Sequence, residues 1–495
     1  MGLTRLASLG LLGFLLLGLL LAPLPLGGAR PWATAALSMG FCGLGAAAAL
    51  LHLQRALRRG RERPGPPPAA WAVALLLMAF AGWVALQLSP WGHSEEPFET
   101  RVYALRAAGY VGLFVAALLL LNSHRRRALL LGTLVAAGVM ESLLAVALFA
   151  AQKPVMLFGT LLNTQGRATG TFANFDHLAN FLTLCLAAGI GLMLTQLGRS
   201  DRPRGRNWQQ RLHAGLGFML SAKMLLRLLL VLMVVALVLT RSRAGNGVFL
   251  AAVLLLGLWV FATSRQWRRP AALLVVSLLV VDVVVVGQWV GLDKVVKRLE
   301  ATELALQQAE AASAAAGAAA AVVTPTALPP NMRRPPPRRE ETLEERWYAA
   351  RDALQLVLQR PWTGHGAGSF YVVFPGAKSE VFGGYPYRWD HAHSDYVEIA
   401  ADTGLPGLAL LAAVFLATFG RALALVTDRQ PPQTRGVAAG VLMGLVCALC
   451  HSLVDFNLQI YANAMVLTVL SALVWSIPSG QMNPRQTPER TSVPQ

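Results

Sequence analysis

The chain has 495 residues, of which 55% are hydrophobic and only 14% charged, with a net charge of +18. Those proportions exclude an ordinary soluble globular chain. They also give the excess charge a topological meaning rather than a nucleic-acid partner, because the apolar residues come in blocks of about 18 to 22, the length a helix needs to cross a bilayer.

In chain order the blocks predict about twelve spans, near residues 6–25, 32–53, 70–88, 105–122, 129–151, 177–197, 224–240, 247–263, 271–290, 400–420, 436–454 and 460–477. The first reads as an uncleaved signal-anchor, since its apolar core is long and more spans follow. Alternate loops are basic: "RALRRGRER" (55–63), "HRRR" (124–127), "GRSDRPRGR" (198–206), "SRQWRR" (264–269) and "RALALVTDRQPPQTR" (421–435). The loops between them are short, neutral or acidic, as in "HSEEPFE" (93–99). Because basic loops stay in the cytoplasm, both termini are expected there. The fold class is therefore an all-α polytopic membrane protein. Its parts are spans one to nine (1–290), an outer loop or lid (291–399), spans ten to twelve (400–477) and a disordered cytoplasmic tail (478–495).

Within the outer loop, 297–322 is alanine-rich and helix-favouring, and 324–338 is proline-rich, together an insertion over 297–338. Residues 342–359 predict a helix with Trp347, Ala350, Leu354 and Val357 on one face. Turns are expected in "RPWTGHGAGSF" (360–370), where Pro361, Gly364, Gly366 and Gly368 break the helix. The cysteines, Cys42, Cys185, Cys447 and Cys450, fall inside apolar blocks and read as packing residues.

The chemistry lies in residues that violate the orientation rule. Arg167 in "NTQGRATGTFANFDH", and Arg241 and Arg243 in "LTRSRAGNG", sit at outer mouths with no carboxylate in either flanking turn. A guanidinium between helices is costly unless paired, and its planar fork suits phosphate. Two such forks suit a diphosphate. Snorkelling to headgroups is the plainer fate, especially for Arg241 at a span end.

The stretch "RWDHAHSDYVEIAADTGLPG" (388–407) brings His391 and His393 to the start of the tenth span. In an extended segment both would face one side; in a helix only one would. A neutral imidazole there can take a proton from a hydroxyl, oriented by Asp390 or Asp395. "DHAHSD" also holds nitrogen and oxygen donors for a metal, with His177 as a possible third ligand. His451 and Asp455, four apart, share a helix face and are placed to support the site or to cap the span. Glu141 and Asp282 are lone intramembrane acids, candidates for a proton path or for buried hydrogen bonding.

Taken together, "GRATGTFANFDHLANFL", "TRSRAGNGVFLAAVLLL", "RWYAARDALQLVLQRPWTGHGAGSF" and "HAHSDYVEIAADTGLPGLALL" followed by "HSLVDFNLQIYANAMVL" resemble the O-antigen ligase/polymerase superfamily, over roughly residues 70–477. The resemblance implies a metal-independent, inverting glycosyltransferase without cofactor. It would use an undecaprenyl-diphosphate-linked glycan donor and act on the periplasmic side of the inner membrane. The implied acceptor is a hydroxyl of lipid A-core, of a glycan or of a protein.

Residue by residue, Arg167 and Arg243 match the family's diphosphate-binding arginines, and His393 matches its catalytic histidine. Arg241, His391, Asp390, Asp395, Asp176 and His177 are expected to line the substrate site. Ser394 stands where the family has asparagine after the histidine, and Asp176 replaces an asparagine in "NFDH". Two rival readings are weaker. A lipid-linked sugar transporter predicts internal repeats, which are not evident. A metal-dependent oligosaccharyltransferase needs acids in the first outer loop, which here is "GGARPW".

Overall fold

A computed structural model describes residues 2–59, 65–162, 166–196, 221–263, 276, 343–379, 389–427 and 430–478. Apart from residue 276, the predicted span at 271–290 with Asp282 lies outside them, as do the insertion 297–338 and residues 479–495.

The described residues form α1 (Gly2–Leu21), α2 (Pro31–Arg59), α3 (Pro68–Leu86), α4 (Pro97–Leu120), α5 (His124–Ala151), a hairpin of β1 (Val155–Leu157) and β2 (Thr160–Leu162), and α6 (Phe175–Thr195). Then come α7 (Ala222–Leu239), α8 (Arg243–Thr263), α9 (Leu343–Gln359), α10 (Phe370–Val373), α11 (Asp395–Leu425), α12 (Pro432–His451) and α13 (Tyr461–Trp475). Ten of these helices are long and apolar enough to span a membrane, and α13 is a shorter apolar one. The all-α polytopic architecture expected from the apolar blocks is what the chain adopts.

Helix α6 runs through the centre, with 89% of its apolar window buried, and α12 lies against it. Small residues make that pairing close. A Cβ on Gly191 would stand 3.0 Å from Cα of Gly440 and 3.0 Å from the Gly436 carbonyl oxygen. Glycines four apart on one face let two backbones approach in lipid, where apolar side chains alone give no driving force. The approach brings the start of α6 beside the end of α12.

Helix α11 begins at Asp395, earlier than the predicted 400, and is interrupted at Gly404, whose φ is 70° and which precedes Pro406. The segment before the break is buried under the lid, and the break frees backbone carbonyls that need donors. The strap 361–369 supplies several. His365 and Gly366 donate their amides to the carbonyls of Ala401 and Asp402, each at 2.9 Å, and Leu405 donates back to Pro361 at 2.7 Å. Trp83 Nε1 donates to Thr403 O (2.7 Å) and Gln87 Nε2 to Asp402 O (2.9 Å). The expected turns in "RPWTGHGAGSF" thus form the seat of the broken helix.

The lid helix α9 is present and buries Val357 of the expected face, but the rest of its buried face differs from the expectation. Ala349, Ala353 and Leu356 are buried against Phe370, Phe374, Ala400 and Ala401, whereas Trp347 and Leu354 are exposed at 69% and 48%. Small alanines allow the lid to lie close on α11, and that closeness outweighs side-chain hydropathy. Phe374 is also lid core, stacked on Phe370 at 4.8 Å.

Candidate active site

One end of the bundle collects the ends of α1, α3, α5, α7 and α12, the starts of α2, α4, α6, α8, α11 and α13, and the lid. The loop 166–174 is held there from two sides. Glu141 of α5, wholly buried, accepts from the Thr171 amide (3.0 Å) and hydroxyl (2.8 Å). Of the two roles open to this acid, a hydrogen-bonded anchor is the one its contacts support. Ala168 donates its amide to Leu239 O at 3.0 Å, tying the loop to the end of α7. Arg167 lies beside that bond, its guanidinium 4.2 Å from the centre of the Phe175 ring at the start of α6.

Thr240–Ser242 make the turn into α8, so Arg241 lies at its centre and Arg243 opens the helix. Arg241 has φ of 54°, a left-handed conformation uncommon for a side-chain-bearing residue and frequent at functional turns. The Ser242 hydroxyl accepts from the Gly245 amide at 3.1 Å and caps α8. Helix α8 then meets α6, where a Cβ on Gly245 would come 2.6 Å from Cβ of Ala179. Three arginines and the N-terminal ends of two helices therefore gather in one place. Arg241 and Arg243 are exposed and form no ion pair among the described residues. Helix N-termini carry partial positive charge and unpaired N–H groups, so the whole is an anion-attracting surface.

The histidines lie across the start of α6, around Phe456. His391 stacks on that ring at 3.9 Å, while His177 and His393 meet it edge-on at 4.6 and 5.1 Å. Both His391 and His393 precede the helix, so they address the same ring, as the extended reading requires. Their carboxylates differ. His391 Nδ1 lies 2.7 Å from Glu398 Oε1, whose other oxygen accepts from the Ala392 amide. His393, at φ 52° and buried, has Nδ1 3.6 Å from Oδ1 of Asp455, and Trp389 stands 5.3 Å away. With the proton on Nδ1 facing Asp455, Nε2 is the nitrogen left to act as a base. Burial acts to raise the Asp455 carboxyl, but His393, His177 and Arg346 around it hold it well below the usual carboxylate range. A charged Asp455 steadies an imidazolium on His393.

The remaining candidates separate. His177 Nδ1 is 3.1 Å from Asn457 Oδ1. Asp176 is paired with Arg346 of the lid at 2.9 Å, so it joins α6 to α9. Asp395 turns to the loop 452–460, where its carboxylate accepts from Leu458 N (2.9 Å). Asp390 is exposed. The carboxylate facing His393 is thus Asp455, from the pair His451/Asp455, rather than Asp390 or Asp395.

Donor atoms of Asp176, His451 and Asp455 come within 4.8 Å of one another, all buried. A cation there would face the Arg346 guanidinium already on Asp176, so the donor set fits a proton-sharing cluster better than a metal. Neither His391 nor His393 belongs to that group, so the metal arrangement envisaged for "DHAHSD" with His177 does not form among the described residues.

Residues 228–412 match the family model described as O-Antigen ligase. The match bears out the resemblance of the sequence blocks to the O-antigen ligase/polymerase superfamily. It takes in Arg241, Arg243, Arg346, His391, His393 and Glu398, while Arg167, His177 and Asp455 lie outside it. No curated protein matches the chain. Glu398, Arg346, Phe456 and Asn457 went unforeseen. Glu398 left one signal, a second acid in the first turn of α11.

Proposed function

We propose that this O-antigen ligase-like protein is an inner-membrane glycosyltransferase that moves a glycan from undecaprenyl-diphosphate to a hydroxyl acceptor on the periplasmic side. The arrangement carrying this reading is the hydrogen bond from the Ala168 amide to the Leu239 carbonyl. It holds the Arg167 loop against the Arg241–Arg243 turn, at the same bundle end as His393.

The acceptor oxygen attacks C1 of the sugar as the C1–O bond to the diphosphate breaks, and attack from the far side inverts the anomeric centre. His393 Nε2 receives the hydroxyl proton, and Asp455 stabilises the imidazolium. Charge growing on the departing diphosphate is met by Arg167, Arg243 and the two helix N-termini, with Arg241 alongside. His391, His177 and Trp389 border the acceptor oxygen's approach. No metal or cofactor takes part in these steps. The described basic-loop arginines Arg55, Arg126, Arg127 and Arg421 lie at the opposite bundle end, which supports an orientation with both termini cytoplasmic.

The test is reconstitution of the full chain with carrier-linked glycan and competing acceptors: lipid A-core, a second glycan unit and a serine-bearing protein. Transfer to lipid A-core identifies a ligase, to glycan a polymerase, and to protein an O-oligosaccharyltransferase. Activity should survive excess EDTA. Loss that divalent ions restore would sink the metal-free mechanism, and movement of carrier-linked sugar across the bilayer without transfer would favour a transporter.

A further inference from the structure

Arg106 sits in α4, inside a candidate membrane span and outside the stretch that matches the family. An intramembrane guanidinium demands a reason, because desolvating it is expensive. No carboxylate pairs with it among the described residues. Its Nη2 instead donates to the backbone carbonyl of Gln459 at 2.6 Å, and its guanidinium lies 5.0 and 6.0 Å from the ring centres of Tyr103 and Tyr461. Tyr103 donates its hydroxyl to the side-chain oxygen of the same glutamine, Gln459 Oε1, at 2.6 Å.

Gln459 closes the turn that begins with Asp455. Three residues of that turn face the candidate site: Asp455 opposes His393, Phe456 meets three histidine rings, and Asn457 bonds His177. From the lid side the turn is held by Asp395 through Leu458 N. On the α4 side its hold is Arg106 and Tyr103.

We infer that Arg106, with Tyr103, is a positioning residue that fixes the 455–459 turn and so sets Asp455 against His393. The role of His393 as base rests on the proposed function; the hold on the turn does not.

The test uses the full chain in lipid nanodiscs, with Arg106→Met, Arg106→Lys and Tyr103→Phe. Hydrogen–deuterium exchange at residues 452–460 should rise about tenfold in Arg106→Met, with the long helices unchanged. In the transfer assay kcat should fall about 10- to 100-fold, as displaced catalytic groups do, while KM for donor and acceptor stays within about twofold. The acid limb of the pH profile should move to lower pH, because an imidazole that loses a nearby carboxylate is harder to protonate. A mere loss of folded protein would scale the profile without moving it. Arg106→Lys keeps a cationic donor and should recover most of the rate.

Unchanged exchange at 452–460 overturns the inference. So does a rise in KM at constant kcat, which would make Arg106 a substrate contact. If Arg106→Met loses protection throughout the bundle, Tyr103→Phe decides: a smaller effect in the same directions is expected, and none overturns the idea. A wild-type chain that transfers no glycan would sink the proposed function, whereas the exchange arm would still decide the hold on the turn.

Discussion

The two ends of this bundle differ in how they use arginine. At the basic end four guanidiniums are taken up by the protein's own backbone. Arg55 donates to Thr4 O (2.5 Å), Arg126 to Leu120 O (3.0 Å), Arg127 to Ser476 O (3.0 Å) and Arg421 to Ile477 O (2.8 Å). The last three staple helix C-termini whose final carbonyls lack intrahelical donors, while Arg55 ties α2 to the first turn of α1. At the other end, Arg241 and Arg243 are exposed without an ion pair among the described residues, next to the starts of α6 and α8. At the site end Arg106 and Arg346 likewise close structure, but Arg241 and Arg243 add an exposed positive surface. That contrast, more than any single motif, locates the candidate site.

The predictions bear on that contrast in order of size. Replacing His393 with alanine should reduce glycan transfer by about 10²- to 10⁴-fold, the usual contribution of a general base. The protein should remain folded in the membrane by thermal melt, and a variant with near-normal kcat would remove His393 as the base. Next come the arginines. Arg167→Ala and Arg243→Ala should each cost about 10²- to 10³-fold in kcat/KM for the carrier-linked donor, as loss of a charge-stabilising donor does. Lysine should restore only part, because an ammonium lacks the planar fork. Arg127→Ala should leave kcat/KM alone and lower stability by about 1–3 kcal/mol through its orphaned carbonyls. If Arg127→Ala damaged catalysis as much as Arg243→Ala, the distinction between the two ends would collapse.

A smaller effect concerns the seat of the lid. A Cβ on Gly364, at φ 67°, would come 2.3 Å from Asp402 O. Gly364→Ala should therefore cost about 1–3 kcal/mol through strain at a left-handed position. Limited proteolysis should then cut the lid faster while the spans stay protected; an unchanged cleavage rate would mean that the strap does not hold the lid. The smallest effect is on pH. Burial lowers the pKa of His365 in the strap, whose Nε2 lies 3.1 Å from Leu356 O. Its folded form resists protonation, so its contribution to stability is full above the unfolded value, about 6.5, and is lost as pH falls through that value towards the folded one. Lid protection should drop as pH falls below about 6.5. His365→Gln should flatten that slope, and a slope unaltered by the substitution would assign it to other groups.

Much of the bundle was legible because a membrane demands long apolar blocks, and those blocks survive as α1 to α8 and α11 to α13. Arg167, Arg241 and Arg243 were legible because each is a cation at an end whose other short loops are mostly neutral or acidic. The lid face was misread for a physical reason. Trp347 and Leu354 carry the hydropathy, but Ala349 and Ala353 permit the close approach that decides burial. The charge partners were hidden by distance in the chain. Arg346 and Asp176 are 170 residues apart, and no local pattern joins them. The same holds for His393 and Asp455, where the nearer Asp390 and Asp395 drew attention first. Phe456 left no sign, since one aromatic among many becomes a platform only when three histidines fold onto it.

The most direct measurement is the binding of undecaprenyl diphosphate to the full chain in nanodiscs, comparing wild type with Arg167→Ala, Arg243→Ala and Arg127→Ala. The account predicts at least about tenfold weaker binding for each of the first two, the loss of a charge-assisted pair, and wild-type affinity for the third. Equal affinity in all four proteins, or a loss confined to Arg127→Ala, would contradict it.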